Sequence, residues 1–114
     1  MGSPITTHIL DTAHGHPAAG VAIALERRID GAWSHLGNGV TNDDGRVSDL
    51  LPDGAVLEPG TYRLRFAVGD YFERRGIEAF YDEVPVVFVI RSPDPHYHVP
   101  LLLNPFGYST YRGS

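Results

Sequence analysis

The stretch "HYHVPLLLN" sets His96 and His98 one residue apart on an apolar run, so that in an extended chain two imidazoles stand side by side on one face. That is the local geometry of many zinc sites, which need a third and usually a fourth ligand as well. The ligand count here stops at two, so no native metal is expected. The same spacing recurs as His14-x-His16, but inside the Gly/Pro stretch "AHGHPAAG", where solvated histidines are the expectation. His8, in "ITTHILDT", alternates with Ile5, Thr7 and Ile9 and shares its side with Thr6 and Leu10; taken alone it reads as a surface or hydrogen-bonded structural histidine. Arg46 follows the turn "TNDDG", which aims its side chain in a fixed direction, although an arginine after a turn is ordinarily a solvated charge.

The final residues, "GYSTYRGS", carry tyrosines, an arginine and hydroxyl groups. Ordering each residue costs about 1–2 kcal/mol of backbone entropy, so such a tail stays fixed only if burial compensates. Composition narrows the chemistry further. All nine basic residues are arginine and there is no cysteine, which removes Schiff-base chemistry, thiol nucleophiles, disulfides and Cys-ligated metals. His, Arg, Asp, Glu, Tyr, Ser and Thr remain. Nine basic against fourteen acidic residues give a net charge of −5, which disfavours a nucleic-acid partner. No stretch approaches the roughly 20 apolar residues of a membrane span, so no membrane partner is expected. The opening residues lack an apolar core behind a basic segment, which points to the cytoplasm, and residues 1–3, "MGS", read as a cloning remnant.

The elements that must position these groups repeat with period two. In "GTYRLRFAVG", Tyr62, Leu64, Phe66 and Val68 alternate with Thr61, Arg63 and Arg65; in "GVAIALERRI", Val21, Ile23, Leu25 and Ile29 face one way. "VPVVFVIR" is apolar on both faces, as a central or doubly covered strand would be. Turn clusters about ten residues apart, including "TNDDGR", "LPDGAVLEPG" and "RSPDPH", separate the strands, the punctuation of an all-β sandwich in a single domain over residues 1–114. A short helix is expected in "DYFERRGIEAFYD", where Phe72, Gly76 and Phe80 recur at i, i+4 and i+8. In "HYHVPLLLN" the set Tyr97, Val99, Leu101 and Leu103 faces the core, leaving His96, His98, Pro100, Leu102 and Asn104 outward. An apolar face that also bears histidines fits a subunit contact that carries chemistry.

Four stretches, "THILDTAHGHPAAGVAI", "TNDDGRVSDLL", "YFERRGIEAFYDEVPVVF" and "HYHVPLLLNPFGYSTYRGS", resemble the transthyretin-like 5-hydroxyisourate hydrolases of uric acid degradation over essentially the whole chain. The closing Tyr-Arg-Gly-Ser is the most specific part, because it separates these hydrolases from hormone-carrying transthyretins of the same fold. The resemblance implies a sandwich of two four-stranded sheets with one short α-helix, assembled as a homotetramer, a dimer of dimers, with sites in a channel between dimers. It implies no cofactor and a metal-free water attack on the cyclic amide of 5-hydroxyisourate, giving 2-oxo-4-hydroxy-4-carboxy-5-ureidoimidazoline. By the same resemblance His8, Arg46, His98 and Ser114 are catalytic, and His8, Arg46, Tyr111, Arg112 and Gly113 bind substrate. Which histidine activates the water stays open. Asn104 and Asp82 depart from the family pattern but are not motif residues. The competing classes are a small-ligand carrier of transthyretin type and an extracellular adhesion sandwich, which would share the strand pattern alone.

Overall fold

β1 (Ile5–Asp11) alternates strictly between buried and half-buried residues, turning Ile5, Thr7, Ile9 and Asp11 inward. Thr6, His8 and Leu10 are thereby committed to the outer face. In this computed structural model, which describes residues 3–92 and 96–114, β2 (His16–Pro17), β3 (Ala22–Ile29), β4 (Ala32–Val40), β5 (Arg46–Val47) and β6 (Gly60–Phe66) follow. Then come α1 (Val68–Arg74), β7 (Val84–Ile90), β8 (Tyr97–Asn104) and β9 (Gly107–Thr110). Met1 and Gly2 of "MGS", and residues 93–95 of the "RSPDPH" turn, lie outside the described residues. Ser3 is buried, and its hydroxyl donates to the Ile5 carbonyl at 2.8 Å and accepts from the Leu51 amide at 3.2 Å.

One sheet runs β2-β1-β8-β9, with β5 also paired to β1; the other runs β4-β3-β6-β7. The expected two four-stranded sheets thus gain a fifth, two-residue strand. β2 and β5 lie along the same edge of β1, pairing at Leu10–Asp11 and at Thr7–His8 respectively, while β8 holds the other edge. The β1–β8 pair is parallel and every other named pair is antiparallel. The core lies between the sheets, where Ile5, Ile9, Leu101 and Leu103 meet Ile23, Leu25, Leu64 and Phe66.

The helix begins earlier and stops sooner than the phenylalanine spacing implies. Val68, Tyr71 and Phe72 form its buried face, at i, i+3 and i+4. Gly76 follows at φ +69°, a left-handed conformation that ends a helix, so Phe80 falls outside it and is exposed. "VPVVFVIR" also differs from expectation: β7 is an edge strand, and Val87 and Val89 are 55% and 47% exposed on its uncovered face. Ile29 is exposed as well, because β3 runs past the core beyond an irregularity between Leu25 and Glu26. The β8 alternation holds for Tyr97, Val99, Leu101 and Leu103, all buried. Pro100, on the outward side, is buried nonetheless, under the C-terminal tail.

Candidate active site

Register brings the outward residues of β1 to their partners. His8 stands opposite Arg46 across the β1–β5 pair, and Thr6 stands opposite His98 across the β1–β8 pair. Directly opposed residues share a face, so Thr6, His8, Arg46 and His98 occupy one patch of the outer surface. The turn before Arg46 is built for the purpose. Asn42 Oδ1 accepts from the amides of Asp44 and Arg46 at 2.9 and 3.0 Å. Gly45 takes φ +74°, where a Cβ would lie 2.5 Å from the Ile9 carbonyl oxygen, so only glycine lets the turn seat against β1.

A cavity of about 220 Å³ opens on this patch, lined by Thr6, Arg46, His96, His98, Ser48 and Ser114 together with Thr7 and Val47. Thr6 Oγ1 lies 2.9 Å from His96 Nε2 and 2.9 Å from His98 Nδ1. The two rings are near parallel, 6.2 Å between centroids. One hydroxyl has one proton, so Thr6 donates to one imidazole while accepting from the other. When His98 Nδ1 donates to Thr6, His98 Nε2 keeps a free lone pair. Burial pushes the His98 imidazolium below its ordinary pKa, and positive charge on Arg46, His96 and His8 pushes it further in the same direction. A neutral imidazole at neutral pH is the consequence.

The tail is ordered, and the reason is visible at Gly113. Its amide donates to the His98 carbonyl at 2.8 Å, continuing the β8–β9 edge as an isolated antiparallel bridge. A Cβ at that position would stand 2.6 Å from His98 Cδ2 and 3.1 Å from Pro100 Cγ. The backbone can lie flat on the imidazole only without a side chain. Thr110 adds a hydrogen bond to the Pro100 carbonyl at 2.7 Å.

The residues singled out in the sequence are only partly assembled within this chain. Arg46, His98 and Ser114 line the cavity; His8 is not among its lining residues but is Arg46's direct cross-strand partner. Gly113 packs on His98. Tyr111 and Arg112 face elsewhere, lining a second cavity of about 280 Å³ between β7 and β8 in which Arg112 lies over the Tyr97 ring at 4.6 Å. His98 borders both cavities. Thr6 is the addition, and His96, paired with His98 in the sequence only as a metal-type spacing, joins the cavity through it. The side shared by Thr6 and His8 was legible from alternation, but the pairing that hands Thr6 to His98 spans 92 residues of sequence and leaves no local signal.

Residues 5–113 match the family model described as HIUase/Transthyretin family. The chain belongs to the HIUase/Transthyretin family. Among proteins of that family it is 53% identical over 115 residues to 5-hydroxyisourate hydrolase 2 of Rhizobium meliloti, covering 96% of this chain and 95% of that one. It is 48% identical over 110 residues to 5-hydroxyisourate hydrolase of Salmonella typhimurium, covering 96% and 80%. Among solved structures it is similar to Klebsiella pneumoniae 5-hydroxyisourate hydrolase, at TM-score 0.85 and 41% identity over 98% of this chain and 99% of that one. It is also similar to sea bream transthyretin in complex with thyroxine, at TM-score 0.88 and 33% identity over 96% and 94%. Backbone shape therefore does not separate the two branches of the HIUase/Transthyretin family, whereas sequence identity does. Shared sheets leave the side chains on β1, β5, β8 and the tail to decide between them.

Proposed function

We propose that this protein is a hydrolase of purine degradation that opens the ring of 5-hydroxyisourate, acting as a single transthyretin-like domain in the cytoplasm. The observation that carries the reading is the Thr6-anchored His98 sharing one cavity with Arg46 and Ser114. A carrier of apolar ligands gains nothing from lining its site with an imidazole pair and a guanidinium.

In the reaction, water adds across a cyclic amide: a C–O bond forms, the ring C–N bond breaks, and the ring nitrogen takes a proton. His98 Nε2 accepts the proton of the attacking water. As His98 becomes charged, its Nδ1 proton moves to Thr6 Oγ1 while the hydroxyl proton passes to His96 Nε2, which is exposed and returns it to solvent. Arg46 holds the anionic, carbonyl-rich substrate through its planar fork and stabilises charge growing on the attacked oxygen. His8, beside Arg46, serves the leaving nitrogen. Ser114 contacts substrate or water from the tail, and Tyr111 and Arg112 complete the substrate site from the neighbouring cavity.

The same reading places the site in a homotetramer, a dimer of dimers. The exposed Val87 and Val89 on edge strand β7, with exposed Leu102 on β8 and Tyr111 in the tail, support it, since exposed apolar surface of this kind marks a subunit contact. The test is to add the protein to freshly generated 5-hydroxyisourate and follow its ultraviolet absorbance. Decay faster than the spontaneous rate is expected; no acceleration would return the protein to the carrier class.

A further inference from the structure

At the far end of β1, about 16 Å from Thr6 at strand rise, a second histidine pair is held by contacts that its loop sequence gives no hint of. Asp11 closes β1 with its side chain fully buried. Its Oδ1 accepts from the backbone amides of Ala13 and His14 at 3.1 and 3.2 Å. Its Oδ2 accepts from the Tyr71 hydroxyl of α1 at 2.8 Å and from His14 Nδ1 at 2.9 Å. A carboxylate offers about four acceptor positions, and all four are used.

A carboxylate only accepts, so His14 Nδ1 is the donor, and the lone pair of the neutral ring lies on Nε2. His16 is fixed in the same way, with its Nδ1 donating to the Pro17 carbonyl at 2.9 Å. Both imidazoles are exposed and near parallel, with centroids 5.5 Å apart and planes 21° from each other. Two imidazoles bound to one tetrahedral ion at about 2.0–2.1 Å put their centroids roughly 5.2 Å apart. One ligand atom each from Asp11, His14 and His16 already lies within 4.8 Å of the others.

We propose that His14 and His16 form a surface site for a borderline divalent transition-metal ion such as Zn²⁺, with the buried Asp11 orienting His14 from behind and water completing the coordination. Imidazole donors suit Zn²⁺, Ni²⁺ and Cu²⁺, while an oxygen-seeking ion such as Mg²⁺ finds no free carboxylate here. A histidine ligand backed by a carboxylate or carbonyl is the usual arrangement at such centres, and this site supplies one of each. The proposal does not depend on the hydrolase reading.

The test is calorimetric titration of Zn²⁺ into the full chain in a non-coordinating buffer, using His96→Asn/His98→Asn to remove the other pair. That variant should keep one equivalent of binding per chain, and adding His16→Asn should weaken it at least tenfold. Asp11→Asn in the same background, with both imidazoles retained, should weaken binding by about 10- to 100-fold, the range seen when the group behind a ligand is lost. In the unmodified protein, sub-stoichiometric Co²⁺ should shift or broaden the NMR signals of the His14 and His16 rings, a readout indifferent to whether any variant folds. Hydrolysis by His16→Asn alone should equal the unmodified rate. Loss of all Zn²⁺ binding in His96→Asn/His98→Asn, an unchanged isotherm on adding His16→Asn, or undisturbed His14 and His16 signals would each overturn the proposal.

Discussion

Replacing Gly113 by alanine puts one methyl group where there is no room. The new Cβ would stand 2.6 Å from His98 Cδ2, whereas non-bonded carbons rest at about 3.5–4.0 Å. The overlap is therefore close to an ångström. Neither neighbour yields easily: Thr6 holds the imidazole at 2.9 Å, and Pro100 is buried with a closed ring. Overpacking of this kind costs about 1–3 kcal/mol. At Gly113 the tail is held by one backbone hydrogen bond to His98, at 2.8 Å, worth about 0.5–1.5 kcal/mol net. The weaker partner gives way, so the tail lifts while the strand stays. A penalty of 1–3 kcal/mol lowers the docked population relative to the undocked by about 5- to 150-fold. If Ser114 acts from the docked tail, kcat/KM of Gly113→Ala should fall with the docked fraction, by up to about a hundredfold. Because Gly113 lies outside the core, Tm should stay within a few degrees. The assay pairs the ultraviolet decay of 5-hydroxyisourate with a thermal melt. Unchanged kcat/KM would refute the role of the docked tail, and a collapse of Tm would show that the fold itself had been damaged.

Burial, then Arg46, His96 and His8, lower the His98 pKa, so the folded protein binds this proton more weakly than the unfolded chain does. The associated stability is present above the ordinary value of about 6.5 and is lost as pH falls from there through the folded pKa. Correspondingly, the acid limb of kcat/KM should lie below about pH 6.5 and move upward in Arg46→Gln; a limb at or above that value in the unmodified protein would sink the assignment. Thr6→Val keeps the β-branched shape but removes the relay, so kcat should fall at least about tenfold, and Thr6→Ser should recover most of it; equal activity in Thr6→Val would remove Thr6 from the mechanism. Val87→Lys with Val89→Lys should yield smaller species by light scattering at micromolar concentration, and an unchanged mass would show that β7 is not the seat of a second copy.

Alternation made β1 and β8 legible from the sequence, because a strand with one wet face writes its burial into every second residue. The same reasoning misplaced β7. Apolar residues on both faces read as a central or doubly covered strand, but β7 is an edge strand with Val87 and Val89 outward, and a pattern of residue types does not say what covers a second apolar face. The i, i+4, i+8 recurrence of Phe72, Gly76 and Phe80 was likewise misleading: Gly76 sits at the left-handed stop, and Val68 and Tyr71 do the packing. His14 and His16 read as loop histidines since nothing in "AHGHPAAG" reveals that Asp11 is buried beneath them. For the candidate site, the residue types were legible from the motifs. Their neighbours were not, because Thr6 meets His96 and His98 only through a parallel register between distant segments.

That register also sets a timetable. The sheet β4-β3-β6-β7 draws on residues 22–90, whereas the sheet bearing the site cannot join β1 to β8 until residues 97–104 have been synthesised. Contacts spanning 92 residues carry a large loop-closure cost before they return any stabilisation, so they belong late in folding. During translation the first sheet must therefore wait with its apolar face uncovered, and β1 with its β8-facing edge open to pairing. The chemistry is thus assembled by the same event that closes the core. A nascent chain that stalls before β8 lacks the contact between Thr6 and His98 and carries a surface ready to aggregate, which ties assembly of the candidate site to synthesis of β8.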